Sequence, residues 1–442
     1  MLPIHTVAVL GAGVMGAQIT AHLANAGLRP ILLDIVPREL APDENQRGLS
    51  LDHPDVRRRI VRAGLEAARR AKPAAFFLPE YADRIRLGTI EDNLDWLCEA
   101  DWIIEAVAEK LSIKQALLER VEAVRRPGSI VTSNTSGLPL AKIAEGRSED
   151  FRRHWLGTHF FNPPRYMRLV ELIPIADTRP EVAETVAAFC EYHLGKVVVR
   201  AKDVPNFIAN RIGTFAVLNT LRLMQEEDLT LEQVDALTGP ALGFPKSATF
   251  RTLDLVGLDV FSHVVGNLRD NLPGDERCDL FQLPEFAQKM LERGWLGEKS
   301  GQGFYKRVKE EGESKILALD WKTLDYRPQQ KAPFASLEMA RNVEDTTERI
   351  RTLLGGGDRA AALCQRMLDD LFHYAASRIP EIADTISEAD QAMRFGFNWE
   401  LGPFQLWDAV GVEPVLERWR KQDRPLPPLA EALQHSGQHS FY

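Results

Sequence analysis

Three observations predict an α/β fold, a doubly wound parallel sheet followed by helices. Residues 5–34, HTVAVLGAGVMGAQITAHLANAGLRPILLD, read as a strand, a glycine turn, a helix and a second strand ending on an acid. Short apolar runs then alternate with helix-periodic stretches as far as residue 200. From Pro205 onward the pattern changes to helices separated by Gly- and Pro-containing turns.

Thr6 to Leu10 is apolar and β-branched, and Gly11, Gly13 and Gly16 supply G-x-G-x-x-G where that run must turn into a helix. The first glycine permits the tight turn, the second lets backbone amides approach a pyrophosphate, and the third lets helix pack close on strand. Val14 and Met15 stand between them at the helix N-terminus, where unpaired N–H groups favour phosphate. Ile19 and Leu23 carry the apolar face to a cap at Asn25-Ala26-Gly27, and Ile31 to Leu33 form the next strand. Asp34 is then placed to accept hydrogen bonds from ribose hydroxyls, and its charge repels a 2′-phosphate. The unit is therefore of the Rossmann type, with NAD favoured over NADP; Arg38 weakens that preference if it turns inward.

Between residues 36 and 84 lies a long crossover in which Asp55 to Lys72 has helical periodicity through Val56, Ile60, Ala63 or Gly64, and Ala67. The arginines on its other faces read either as a solvated surface or as an arm that attracts a phosphorylated substrate. Arg84 to Leu87, Asp101 to Ala106 and Ser129 to Ser133 read as strands, with a helix over 112–126 ended by Pro127-Gly128. Trp155 to Phe161, Leu169 to Ile173 and Val197 to Arg200 are further strands, and Pro180 to Tyr192 is an amphipathic helix.

A chain of 442 residues, 45% hydrophobic and 26% charged, has the balance of a globular protein of two to four domains. The net charge of -9 argues against nucleic acid as a partner. Cys98, Cys190, Cys278 and Cys364 lack C-x-x-C spacing, which argues against zinc or a disulfide framework and suits a reducing compartment. No stretch reaches the apolar length of a membrane span, and the first strand follows Met1 too closely for a leader, so the cytoplasm is expected.

A first helix is expected over roughly 205–225, beginning PNFIANRIGTFAVLNTL, with later helices running to SGQGFYKR at 300–307. Residues 308–345 are polar and non-periodic and read as a surface linker. Residues 346–442 resemble the helices before that linker: VDALTGPALGFPKSATFRTLDLVGLD at 234–259 is similar to ADQAMRFGFNWELGPFQLWDAVGVE at 389–413, and SGQGFY at 300–305 to SGQHSFY at 436–442. Two copies in one chain can pack as an internal pseudo-dimer, which predicts a monomer, although an exposed apolar face would allow a homodimer. The expected domains are thus 1–200 with a helical arm at about 38–84, 201–307, a linker 308–345, and a degenerate second helical copy 346–442.

Four polar positions fall at strand ends or on the first helix after the sheet: Ser136 in SNTSG, His159 in GTHFFNPP, Glu171 in RLVELIP and Asn210 in PNFIANR. Singly, each has a structural explanation as cap, core histidine, solvated acid or surface amide. Together they match what oxidising an alcohol requires. Hydride leaves the carbinol carbon only as the hydroxyl proton is removed, so the site needs a base near neutral pH and donors for the oxygen. Histidine has the right range. Glu171 follows His159 by a separation that lets adjacent strands place carboxylate beside imidazole.

Through GAGVMG at 11–16, SNTSG at 133–137, GTHFFNPP at 157–164, LVELIP at 169–174, KDVPNFIANR at 202–211 and KSGQGFYK at 299–306, the chain resembles the NAD-dependent L-3-hydroxyacyl-CoA dehydrogenases of fatty-acid β-oxidation. The resemblance implies that His159 is the general base, Glu171 its orienting partner, and Ser136 and Asn210 donors to the substrate oxygen. It implies cofactor contacts at Glu109, Lys114 and Asn134, and a CoA-covering arm at the basic helix 55–72. It further implies tandem all-α domains like the C-terminal domain of 6-phosphogluconate dehydrogenase. Val204-Pro205-Asn206 departs from the Thr-Pro-Gly of many members. The arrangement is most similar to bacterial fusions in which the dehydrogenase precedes an enoyl-CoA hydratase, so a hydratase or thiolase partner is expected, and the chain is either a short relative or a piece of a longer polypeptide.

The expected activity is oxidation of (S)-3-hydroxyacyl-CoA to 3-oxoacyl-CoA with NAD. Its rivals are a dehydrogenase of free β-hydroxyacids, which would rely on a lysine base, a non-catalytic NAD-binding relative, and a scaffold for a separate hydratase. Gln365-Arg366 stands roughly where Asn210-Arg211 would fall in the second copy, which reads as structural.

Overall fold

The computed structural model describes residues 4–310 and 313–442. Eight short strands form one sheet: β1 (Val7–Leu10), β2 (Ile31–Asp34), β3 (Arg86–Thr89), β4 (Trp102–Glu105), β5 (Ile130–Ser133), β6 (Trp155–Phe160), β7 (Leu169–Pro174) and β8 (Val197–Arg200). Their spatial order is β3-β2-β1-β4-β5-β6-β7-β8. Every neighbouring pair is parallel except β6 with β7, which run antiparallel. Runs such as VAVL and WIIE are buried along their whole length, as strands covered on both faces must be. The helices Val14–Asn25, Leu111–Val124 and Pro180–Tyr192 provide cover, the last with its expected bounds. β3 begins two residues later than expected because Pro79–Arg84 closes into a 3₁₀ turn first.

The arm departs from expectation. The helix expected over 55–72 breaks at Arg58 into Pro54–Arg57 and Arg59–Arg69, and the break shifts the phase: Val56, Val61, Leu65 and Ala68 are buried, while Ala63 and Ala67 are exposed. Most of its arginines already have acidic partners. Arg57 is bonded to Asp92 at 2.5 and 2.8 Å, Arg62 to Asp55 at 2.6 Å, and Arg59 to Glu44. Arg69 and Arg70 both reach Glu66, at 3.2 and 3.9 Å, and Arg58 is exposed.

The chain divides after Phe207 into two compact units, the second being Ile208–Tyr442. Residues just past β8 stay with the sheet because the Asp203 carboxylate accepts the backbone N–H groups of Leu140 and Ala141 at 2.8 and 2.9 Å. In the second unit, the Ala209–Glu226 helix begins four residues later than the expected 205. The segment expected as a linker carries a small antiparallel sheet, β9 (Tyr305–Glu310), β10 (Glu313–Leu319) and β11 (Tyr326–Pro328), followed by the helix Ala335–Ala340. Only Ala318 and Leu319 of β10 are buried, so these strands lack the alternation that would announce them. Residues 311 and 312 of the expected linker lie outside the described residues.

The internal resemblance has a geometric counterpart within the second unit. Asp235 accepts Phe250 N–H and the Tyr305 hydroxyl, both at 2.7 Å, while Asp390 accepts Phe404 N–H and the Tyr442 hydroxyl, both at 2.8 Å. Asp254 accepts the N–H groups of Phe304 and Tyr305 at 2.8 and 2.9 Å, and Asp408 those of Phe441 and Tyr442 at 2.8 and 3.0 Å. Gly257 and Gly411 adopt nearly the same left-handed conformation, φ 98°, ψ 128° and φ 99°, ψ 125°. No helix among the described residues is long and apolar enough to cross a membrane.

Candidate active site

The glycine turn builds a cradle for a dinucleotide. Gly11 has φ +101°, and a Cβ there would lie 2.6 Å from the Ala106 carbonyl, so only glycine fits. A Cβ on Gly16 would run into the Gly11 carbonyl, whereas Gly13 opens onto space with nothing within 4 Å. Gly13 is also the N-cap of a helix with no acid in its first turn, and Val14, the next residue, is 64% exposed. Partly buried Met15 packs against the core on the same turn. The chemistry of this turn fits a pyrophosphate: open backbone, unpaired N–H groups and the positive end of a helix dipole.

Asp34 ends β2 beside the cradle and helps shape it, accepting Ala12 N–H at 2.6 Å on one oxygen and Ile35 N–H at 2.7 Å on the other. The arm closes in at Gly64, where a Cβ would strike the Ala12 carbonyl. Sequence periodicity offered Ala63 or Gly64 for the apolar face but gave no sign of this approach.

His159 and Glu171 face each other directly in the β6–β7 register. His159 Nδ1 lies 2.6 Å from Glu171 Oε2, with side-chain exposures of 6% and 0%. Because a carboxylate only accepts, this bond assigns the Nδ1 proton to histidine and leaves Nε2 as the basic nitrogen. Phe161 and Phe207 pack on the imidazole at ring-centroid distances of 4.5 and 5.6 Å. Phe207 and the preceding Asn206 have φ of 49° and 62°. Asparagine is among the few residues that tolerate this left-handed region, so the departure from glycine at 206 preserves the backbone turn.

Ser136 lies half-buried in the loop after β5, and its N–H donates to Glu109 Oε1 at 2.8 Å. The same oxygen accepts the Thr135 hydroxyl at 2.5 Å. Lys114 reaches Glu109 Oε2 at 3.2 Å but is only 1% exposed, because its ammonium donates to both oxygens of Glu105 at 2.7 and 2.9 Å. The Ser133 hydroxyl and the Val107 N–H also donate to Glu105, at 2.5 and 2.7 Å. Thus Lys114 faces a buried carboxylate, and Glu109 is the open end of the chain Glu105–Lys114–Glu109–Ser136. Asn134 ties this loop to the base: its Oδ1 accepts Phe160 N–H, the residue after His159, at 2.9 Å.

Two contributors escaped the sequence reading. Glu105 ends the apolar run DWIIE, and a charge closing a fully buried strand is the signal that could have found it. Lys196 is 6% exposed and donates to the carbonyls of Pro164 and, at 2.8 Å, Met167, clamping the loop between β6 and β7. Burial pulls its pKa down to about 8. That loop also holds the arm's end, since Arg165 donates to the carbonyls of Ala74 and Phe76 at 2.7 and 2.8 Å. The first unit thus gathers the glycine cradle, Asp34, Asn134, Ser136, Glu109, Lys114, His159 and Glu171; Asn210 belongs to the second unit, half-buried in the first turn of its helix.

Residues 6–204 match the family described as 3-hydroxyacyl-CoA dehydrogenase, NAD binding domain, and residues 207–307 the family described as 3-hydroxyacyl-CoA dehydrogenase, C-terminal domain. A Bacillus subtilis (strain 168) protein named "Probable 3-hydroxyacyl-CoA dehydrogenase" is 46% identical over 99% of this chain and 55% of its own length. The chain therefore spans about half of that relative. A Deinococcus radiodurans protein of the same name is 48% identical over 70% of this chain and 85% of its own. The crystal structure of 3-hydroxybutyryl-CoA dehydrogenase from Escherichia coli K12 has a TM-score of 0.70, covering 99% of this chain and 100% of that one at 23% identity, a likeness of fold. With the two domain matches following one another in order and the Deinococcus protein similar over most of its length, the chain belongs to the 3-hydroxyacyl-CoA dehydrogenase family.

Proposed function

We propose that the chain oxidises (S)-3-hydroxyacyl-CoA to 3-oxoacyl-CoA in fatty-acid β-oxidation, with His159 as general base. The observation that carries this reading is the buried 2.6 Å contact between His159 and Glu171 across adjacent strands. Glu171 holds the tautomer in which Nε2 accepts the substrate hydroxyl proton, and it stabilises the imidazolium that results. Ser136 and Asn210 donate to the carbonyl oxygen as it forms.

Gly11, Gly13, Val14, Met15 and Gly16 would hold the pyrophosphate of NAD, Asp34 the adenine-side ribose, and Glu109 and Asn134 the nicotinamide end. Bound NAD supplies the hydride acceptor. Lys114 acts at one remove, holding Glu109 in place. Exposed Arg58 is the arm cation best placed to meet a CoA phosphate in solution. The cytoplasm, a hydratase or thiolase partner and a monomeric or homodimeric state complete the reading.

The test follows NADH absorbance as acetoacetyl-CoA is added to the purified chain, beside free acetoacetate and beside NADPH. Rapid oxidation of NADH with the CoA ester alone is the expected result. Equal rates with free acetoacetate would point to a free-acid dehydrogenase. Tight NADH binding without turnover would leave a binding or scaffold protein.

A further inference from the structure

We infer that a buried network centred on Arg211 positions Asn210 for the reaction, making Asp275 of the first helical copy and Tyr374 of the second positioning residues. The inference rests on the dehydrogenase reading above, in which Asn210 is a donor to the substrate oxygen.

Arg211 follows Asn210 in the first turn of its helix and is fully buried. Its Nε donates to the Tyr374 hydroxyl at 2.6 Å, and its Nη2 to Asp275 Oδ2 at 2.5 Å. Tyr374 in turn donates to the same Asp275 oxygen at 3.0 Å, and Arg378 Nη1 does so at 3.1 Å. Glu381 lies 3.1 Å from Arg211 Nη2. The planar guanidinium is thereby fixed in direction as well as in place.

The same stretch of helix is fixed at two further points by the second copy. The Phe215 ring, one turn beyond Arg211, stacks on Tyr374 at 4.0 Å with an interplanar angle of 7°. At Gly213 a Cβ would run into the Phe397 ring, so the Phe397 side chain reaches the helix backbone. Arg211 cannot swing away without taking its own buried charge from Asp275 and leaving that carboxylate to Tyr374 and Arg378 alone. Asn210 therefore projects from a turn whose rotation and translation are set by Tyr374, Asp275 and Phe397. A donor to a developing oxyanion needs that restraint, because a displacement of about 1 Å costs on the order of 10²-fold in rate.

Tyr374→Phe tests this, since it keeps the ring stacked on Phe215 and removes only the hydroxyl. The expected result is a fall of about tenfold in kcat for acetoacetyl-CoA reduction, with KM for NADH unchanged. In an Asn210→Ala background the same change should lower kcat no further, because Tyr374 acts through Asn210. Asp275→Asn should behave alike. Tyr442→Phe, which removes a hydroxyl bonded to Asp390, is the control and should leave kcat unchanged. Additive losses in the double variant, or an equal loss in Tyr442→Phe, would overturn the inference while leaving the dehydrogenase standing. A parent chain without acetoacetyl-CoA-dependent NADH oxidation would overturn both.

Discussion

The two helical copies share a latch and differ in the helix that precedes it. Both carry a threonine capping box, Thr230 with Gln233 and Thr385 with Glu388, and two aspartates, one buried and one half-buried, that tie an aromatic pair back onto the helices. The preceding helices diverge. In the first copy Asn210 and the buried Arg211 occupy the opening turn. In the second, Asp358 caps the Arg359–Arg378 helix at Ala361 N–H, Gln365 donates to the Leu354 carbonyl at 3.0 Å, and Arg366 lies at the surface on Glu226 and Glu227. A duplicated chain is its own control: what both copies keep serves the fold, and what one alone keeps is a candidate for chemistry.

The largest expected difference between the copies lies in Asn210 and its counterpart. Asn210→Ala should lower kcat by about 10²- to 10³-fold, the usual worth of a donor to a developing oxyanion. Gln365→Ala should leave kcat unchanged, and steady-state kinetics of the two variants measure the contrast. Next come the latch aspartates, where the copies should agree. Asp254→Ala and Asp408→Ala each strand two backbone N–H groups and should each cost about 2–3 kcal/mol in urea unfolding. A loss in only one copy would mean that the latch is not shared architecture.

Acidity gives a smaller effect of stated sign. Burial raises Asp254 and Asp390 to about 6, against an ordinary value of about 3.9. Between pH 4 and 6 the folded chain then holds more protons on these groups than the unfolded chain, so their contribution to stability is full below about pH 4 and is lost as pH rises through 6. Asp254→Asn should flatten this slope by about 1–2 kcal/mol relative to the parent. Half-buried His373, lowered to about 4 chiefly by desolvation, has the opposite slope and cancels in that difference. Smallest are Tyr305→Phe and Tyr442→Phe, at about 1 kcal/mol each for a lost hydrogen bond. Near-equal values would support the duplication at the level of single bonds.

Elements built on local periodicity were legible in the sequence. The Pro180–Tyr192 helix and β8 have their expected bounds, and a separation of twelve positions from His159 to Glu171 suffices for a hairpin-like pair of strands. What stayed hidden depends on distant partners. Nothing local tells that Arg57 meets Asp92, that Lys114 faces Glu105, or that Arg211 waits for Tyr374, far along the chain. The β9–β11 sheet was hidden for another reason: its strands are mostly exposed or half-buried, so no apolar alternation marks them.

The proposed chemistry turns on His159, held by Glu171, taking the substrate proton. Comparing kcat for NADH-dependent acetoacetyl-CoA reduction in the parent and in His159→Gln, with NADH affinity followed by fluorescence, tests that role at the reacting atom. A fall of roughly 10²- to 10⁴-fold with NADH affinity unchanged is expected. A His159→Gln chain as active as the parent would show that another group is the base.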